Sequence, residues 1–500
     1  MCSALKRPVC KEIEKPCPNG PLKGMKVLLV FHSFKNDTDT LAFIKNVRHL
    51  GVVPPLNLLY ISAWLKLHGV KTELLECSAH NLDCQSAIEV AKTKEFDFVC
   101  FTSTNLDFLF VIEWIRAFHN EFHKPIMVGG PGAENYPGEM AQHDQIQAVF
   151  HSPAEACMVP WLKAYIEKQE WWKVPGTACK YENKIYLNDQ VALPRNFVRP
   201  HPDRSILNIS KYYSILSKGF PFTAGMSSFG CPYGCKFCQI RLSPFFIRTA
   251  EDLVDELEIC QKEYGIKEID YFDSNFTIPR QRVFRFAELY KQRNLSIRWS
   301  CRVRSDQIDE ELLQVMASVN CAWIGYGIES GDDGVLKNIN KTQKGSENIR
   351  NVIRMTKACG IGVTGFFVLG LPGESEKSLK NTLDLITQEP LDYVQISPYW
   401  PIPNTPIYDE LVKDTGIDIW KLAITNGIRQ KDLTLANTNF SVKDMHQYAS
   451  TIYKEFYFRP SQILQMTKSI NSYSQFKNYF NAGIDVLKGV LIDNKSKPDS

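Results

Sequence analysis

Two series of short β-rich runs, each alternating with helical stretches, constrain this 500-residue chain more than any other feature. In the first series, "MKVLLVF", "KTELLEC", "FDFVCFT", "KPIMVGG" and "QAVFHS" read as strands. "NLLYISAWLKLHGV" reads as a helix ended by Gly69, and "FVIEWIRAFHN" as another. That order predicts a doubly wound, mostly parallel sheet with its ligand at the carboxyl ends of the strands. After the fourth strand, "GGPGAENYPG" carries Gly129, Gly130 and Gly132. Without a Cβ these residues let backbone approach a ligand closely, or simply make a tight βα turn.

The second series starts near residue 222 with "TAGMSSFG", "EIDYFDSN", "SIRWSCRV", "AWIGYGIES", "GVTGFFVLG" and "DYVQISPYW". Helical segments such as "TAEDLVDELEICQKEYG" and "SEKSLKNTLDLITQ" lie between them. Six βα units predict a partial or open barrel of TIM type, with its chemistry on the loops after the strands. The expected layout is a disordered leader over 1–24, a Rossmann-like domain over 25–168, a linker over 169–215, a partial (β/α)6 barrel over 216–425 and a helical cap over 426–500. The aromatics of the cap ("EFYFRP", "YSQFKNYF") either line an apolar pocket or pack as core.

Apolar residues make up 44% and charged residues 23%, the balance of a packed globular protein. A net charge of +3 offers no electrostatic reason to expect nucleic acid. No apolar run reaches the ~18 residues of a membrane span. The leader has charge and proline where a signal peptide needs an apolar core, so a cytoplasmic location is expected. Most of the 15 cysteines stand alone on apolar segments, as Cys100 and Cys321 do, and read as small buried hydrophobes.

"SSFGCPYGCKFCQI" is the exception, placing Cys231, Cys235 and Cys238 on one loop just after the first strand of the second series. Thiolates so close need a positive partner, and a metal is the leading candidate. Structural zinc takes four ligands, usually as two separated pairs, and no fourth lies nearby in sequence. A 4Fe–4S cluster held by three cysteines leaves one iron open to an outside ligand. Pro232 and Gly234 suit a short loop wrapped around it.

With the spacing C-x-x-x-C-x-x-C and an aromatic at Phe237, the barrel resembles the radical S-adenosylmethionine (SAM) enzymes. The resemblance implies a 4Fe–4S cluster on the three cysteines and SAM chelating its open iron. "DYFDSNFT" resembles the second-strand motif, which directs Asp273 or Ser274 to the SAM amino group; on its own residues, a strand-end Asp capping a turn reads as well. "GYGIESG" offers Glu329 to a SAM hydroxyl or amino group, or to a salt bridge at the barrel mouth. "FFVLGLPGES" would run its backbone from Val368 to Gly370 beside the adenine, with Phe237 shielding the cluster or packing near the same ring. Arg302 and Arg304, in "WSCRVRSD", are candidates for the SAM carboxylate, one of them being more suited to a scaffold ion pair.

The domain in front resembles the cobalamin-binding domains of that superfamily, through "GVVPPLNLLYISAWLKLHGVKTELLE" and "IMVGGPGAENYPGEM". The resemblance runs the loop of Gly129, Gly130 and Gly132 along the corrinoid. Two features depart from the pattern. No D-x-H-x-x-G follows the first strand ("VFHSFKNDTDT"), so no histidine replaces the lower ligand and His32 reads as a loop residue. The acidic-glycine turn near the fifth strand reads "HSPAEA", leaving Glu155. A domain that kept the fold and lost the corrinoid therefore stays open.

The implied chemistry is reductive cleavage of SAM to a 5′-deoxyadenosyl radical, hydrogen abstraction from an unactivated carbon and methyl transfer from methylcobalamin. The substrate would be a small molecule, a lipid or a tetrapyrrole, and the electron donor a flavodoxin or ferredoxin. Oxidative cyclisation or rearrangement, as in the group of the anaerobic Mg-protoporphyrin monomethyl ester cyclase, remains an alternative outcome. A corrinoid- or metal-binding protein without catalysis is a third. No protein acid or base is singled out as catalytic.

Overall fold

Strand β1 (Lys26–Phe31) buries four consecutive residues, Val27 to Val30, because both faces of its sheet are covered. This computed structural model describes residues 13–33, 51–104, 107–341, 344–427 and 440–469. The stretch 34–50 and the "YSQFKNYF" segment lie outside the described residues. β1 pairs in parallel with β2 (Lys71–Glu76) on one side and β3 (Phe98–Thr102) on the other. β4 (Ile126–Gly129) and β5 (Ala148–Phe150) continue the parallel sheet. The order reverses between β1 and β3, so the switch point that receives ligands in such sheets lies at their carboxyl ends.

The sheet does not stop at residue 168, which corrects the expected linker. β6 (Thr177–Tyr181) pairs antiparallel with β5, and β7 (Lys184–Leu187) pairs antiparallel with β6. Between them Glu182 and Asn183 both take left-handed backbone, φ 47° and 61°. Two such residues form the tight turn that matches strand twist. The hairpin signal was the two-residue "EN" between alternating runs. A second correction concerns residues 419–425, expected within the barrel, which belong to the helix Ile419–Asn426. Of the described residues, 13–33, 54–211 and 418–427 fall in one compact unit, and 51–53, 212–417 and 440–469 in the other. Tyr136 Oη donates to Asp418 Oδ1 at 2.8 Å and Lys421 pairs with Glu139 at 3.2 Å, which ties the helix to the first unit.

The second unit carries six parallel strands in simple sequential order: β8 (Phe222–Gly225), β9 (Glu268–Tyr271), β10 (Arg298–Val303), β11 (Cys321–Glu329), β12 (Gly362–Leu369) and β13 (Tyr393–Pro398). The ladder runs from β8 to β13 without joining its ends, so the barrel is partial. Helices between strands start on side-chain caps: Thr249 accepts from Asp252 N, and Asp309 from Leu312 N. Trp299, Phe276 and Phe286 are fully buried together, with centroids 5.0 Å and 5.3 Å apart across Trp299.

Part of the tail has a definite structural task. On the helix Val442–Tyr457, the hydroxyls of Tyr453 and Tyr457 accept from the backbone N–H of Ile396 (3.0 Å) and Val394 (3.2 Å). The edge strand β13 is thereby satisfied by side chains where no further strand pairs with it. Among the described residues, no helix is long and apolar enough to cross a membrane.

Candidate functional site

A two-residue ladder, Ser228–Phe229 against Phe246–Ile247, pinches residues 230–245 into a loop after β8. Gly230 sits at its neck with φ +81°, where a Cβ would come within 2.0 Å of the Pro244 carbonyl oxygen. Only glycine fits there. Within the loop, Cys231 N donates to Ser243 Oγ (3.0 Å), Leu242 N to Tyr233 O (2.9 Å) and Cys238 N to Cys235 O (3.2 Å). Lys236 N donates to Ile339 O (2.9 Å) and Asn340 Nδ2 to Gly234 O (3.0 Å), anchoring the loop to the segment that follows β11. Cys235 is buried, while Cys231 and Cys238 are half-buried. Burial, reinforced by the neighbouring thiols, pushes the Cys238 thiol up to about 11 and raises that of Cys231.

Cationic side chains surround this loop. Arg304 Nη1 donates to Cys235 Sγ at 3.4 Å, and its guanidinium lies 4.1 Å from the centroid of Tyr233. Lys341 Nζ lies 6.0 Å from the Phe237 centroid and 2.7 Å from Glu329 Oε1. Glu329 ends β11 in left-handed backbone, φ +67°, at an irregularity in the β11–β12 register. Non-glycine residues held this way carry strain and cluster at functional sites. Gly327 makes room for the pair: a Cβ there would meet both Glu329 Oε1 and Lys341 Nζ at 2.8 Å. Two of the sequence candidates, Phe237 and Val368, pack against one buried apolar cluster that includes Ile339, Leu371 and Tyr399.

The set fits a 4Fe–4S cluster in its chemistry: three thiols from one braced loop, with cations beside them to balance an anionic group. Among the described residues, no three Cys, His, Asp or Glu side chains close to metal-ligating distance.

The remaining candidates divide by what already engages them. Asp273 is buried and accepts from Ser227 N (2.6 Å), Ser228 N (3.0 Å) and Ser227 Oγ. Burial raises its carboxyl above the usual range. Its carboxylate thus braces the strand leading into the cysteine loop. Ser274 is half-buried beside it, and the next residue, Asn275, has a buried Nδ2 without a partner among the described residues. Arg302 grips Asp270 with both arms, at 2.7 and 3.0 Å, and stacks 3.7 Å from Phe272, and Arg304 is likewise held by Asp306, so both arginines stand in ion pairs. Gly370 has φ +88°, and its N–H donates to Glu374 Oε2 at 2.5 Å. Sequence reasoning passed over Glu374, although it lies in the same "GLPGES" segment. It also passed over Lys341, for which "NKTQK" gives no motif.

In the first unit, Gly130 (φ +97°) and Gly132 press against the loop after β3. A Cβ on Gly130 would lie 2.5 Å from Ser103 O, and one on Gly132 2.6 Å from Thr104 O. Gly129 has room, its nearest neighbour being Phe150 Cβ at 3.8 Å. The carboxyl edge therefore presents backbone and small hydroxyls, including Thr102 Oγ1, which accepts from Asn57 Nδ2 at 2.7 Å. A broad macrocycle could approach the backbone of this turn, where Gly129, Gly130 and Gly132 carry no side chain. Glu155 is buried and paired with Arg199. His32 follows β1, buried, with Nε2 3.4 Å from Asp107 Oδ2.

Comparison with known proteins agrees with both halves. The radical SAM superfamily model matches residues 226–386, and the B12 binding domain model matches residues 46–158. An uncharacterized methyltransferase of Pyrococcus horikoshii is 26% identical over 457 residues, covering 89% of this chain and 95% of that protein. Cytidylyl-2-hydroxyethylphosphonate methyltransferase of Streptomyces wedmorensis is 26% identical over 342 residues, 60% of this chain and 64% of its own length. In fold, the chain resembles the radical SAM methyltransferase TsrM of Kitasatospora setae, with a TM-score of 0.65 at 16% identity over 92% of this chain and 96% of that one. The cobalamin-dependent radical SAM enzyme OxsB gives a TM-score of 0.65 at 16% identity over 95% of this chain and 74% of that one. The two matches, one after the other along a single chain, give this protein a B12 binding domain followed by a radical SAM domain.

Proposed function

We propose that this enzyme is a C-methyltransferase acting on a small-molecule substrate. The observation that carries the reading is the near end-to-end match, 89% of this chain and 95% of the relative, to a protein named as a methyltransferase. When bound, the cluster supplies the electron that cleaves SAM and the corrinoid carries the methyl group.

The chain's residues divide the remaining work. Cys231, Cys235 and Cys238 would hold the cluster, as three ligands that leave a site for SAM. Glu329 and Lys341 form an ion pair near Phe237 of the cysteine loop and would offer a zwitterionic methionine end one charge of each sign. Backbone from Val368 to Gly370 lies along the adenine, held in shape by Glu374, while Phe237 excludes water. Asp273 orders the cysteine loop, and Ser274 with Asn275 supplies polar groups at the same strand end. In the first domain, the Gly129–Gly132 turn and the Ser103–Thr104 loop bear the corrinoid.

The test is anaerobic reconstitution of the full chain with cobalamin, SAM and a low-potential reductant. Formation of S-adenosylhomocysteine that depends on added cobalamin supports the reading. 5′-Deoxyadenosine without S-adenosylhomocysteine, with cobalamin bound, points instead to a hydrogen-abstracting cyclase or rearrangement enzyme.

A further inference from the structure

We propose that Arg304 sets the reduction potential of the cluster through Cys235, with Asp306 aiming it. The inference rests on the assignment of the three cysteines made above. Arg304 directly follows β10 and is buried. Its Nε and Nη2 are held by Asp306 at 3.0 and 2.6 Å, and Nη2 also donates to Lys341 O. The guanidinium is a rigid planar fork, so fixing two nitrogens fixes the third. That third nitrogen, Nη1, points at Cys235 Sγ from 3.4 Å. Stacking on Tyr233, itself in the cysteine loop, closes the remaining direction.

The three sulfurs are therefore not equivalent. Cys231 Sγ faces the backbone N–H of Tyr233 and Cys238 Sγ that of Ile240, both neutral donors. Cys235 alone of the three has a charged side-chain donor among the described residues. Cluster potentials follow the hydrogen bonds to their sulfurs and the charge around them. Reduction brings in one electron from an external low-potential one-electron donor; no bond breaks and no proton moves. The added negative charge spreads onto the thiolates, and a charge-assisted bond in a dry site stabilises the reduced form more than the oxidised one. Lys341 is ion-paired with Glu329 at 2.7 Å, as Arg304 is with Asp306, but of the two it is Arg304 that also donates to a sulfur among the described residues.

The experiment is a potentiometric titration of the reconstituted full chain, without corrinoid or SAM, read by the electron paramagnetic resonance signal of the reduced cluster. Iron content per chain is measured alongside. For Arg304→Gln the reduction equilibrium should become at least tenfold less favourable, a midpoint about 59 mV lower for one electron. Arg304→Lys, which keeps the charge and loses the fork, should fall between. A residue with only a structural role lowers iron content and leaves the midpoint of the surviving clusters in place. Unchanged midpoints in both variants overturn the proposal. Corrinoid and substrate are absent, so a failure of methyl transfer cannot imitate this result. A wild-type chain that assembles no cluster overturns the cysteine assignment and this inference together.

Discussion

Lys341 Nζ lies 2.7 Å from Glu329 Oε1, with both side chains almost entirely buried. Breaking a buried pair by removing one partner leaves an uncompensated charge, at a cost of about 3–5 kcal/mol. Glu329→Gln should therefore lower the thermal midpoint markedly, and adding Lys341→Met should recover most of the loss. A double variant no more stable than the single one, by calorimetry, would show that the ion pair is not what Glu329 contributes.

Cys235→Ala should keep the fold and lose the cluster. Circular dichroism should match the wild type, while iron content and the visible iron–sulfur absorbance fall to background after anaerobic reconstitution. SAM cleavage should vanish with them. Retention of a full cluster in this variant would remove Cys235 from the ligand set.

Glu374 makes the loop after β12 sensitive to pH. Burial pushes its carboxyl up to about 7 from an ordinary 4.5. A raised carboxylic acid means that the folded state holds a proton which the unfolded chain has already lost. Stability from this group is full below about 4.5, falls as pH rises to about 7, and is flat above. The span corresponds to roughly 3 kcal/mol at most. Glu374→Gln should flatten the decline between those limits. Urea unfolding of both proteins from pH 4.5 to 8 measures it, and parallel curves would refute the assignment.

Gly130 and Gly129 are adjacent and should respond oppositely to alanine. At Gly130 the left-handed backbone costs about 1–3 kcal/mol for a residue with a Cβ, before the 2.5 Å approach to Ser103 O is counted. At Gly129 a Cβ makes ordinary contact at 3.8 Å. Gly130→Ala should lower the thermal midpoint and weaken retention of cobalamin on a desalting column. Gly129→Ala should keep the midpoint. Equal effects on stability would mean that the turn is looser than its backbone implies.

The parallel strands of both sheets were legible because short β-rich runs alternate regularly with helical stretches along the chain. The cysteine loop was legible because three thiols in eight residues have no ordinary packing explanation. The hairpin at Thr177–Leu187 was missed because its turn depends on two left-handed residues, Glu182 and Asn183, without the usual Asn-Gly signature. The helix at Ile419–Asn426 was misplaced because its partners, Tyr136 and Glu139, lie some 280 residues earlier.

The sequence by itself determined which elements form, in what order, and which loop carries the thiols, since these follow from local periodicity and side-chain chemistry. Only the tertiary structure decided which charge faces which group. Arg302 and Arg304 are two residues apart on one strand end, yet one is bound to Asp270 and the other aimed at Cys235, 69 positions away. Lys341, invisible as a motif, stands beside Glu329 because Gly327 leaves the space. Such pairings depend on the register of strands and the height of loops above a shared sheet, and no local pattern of residues encodes either.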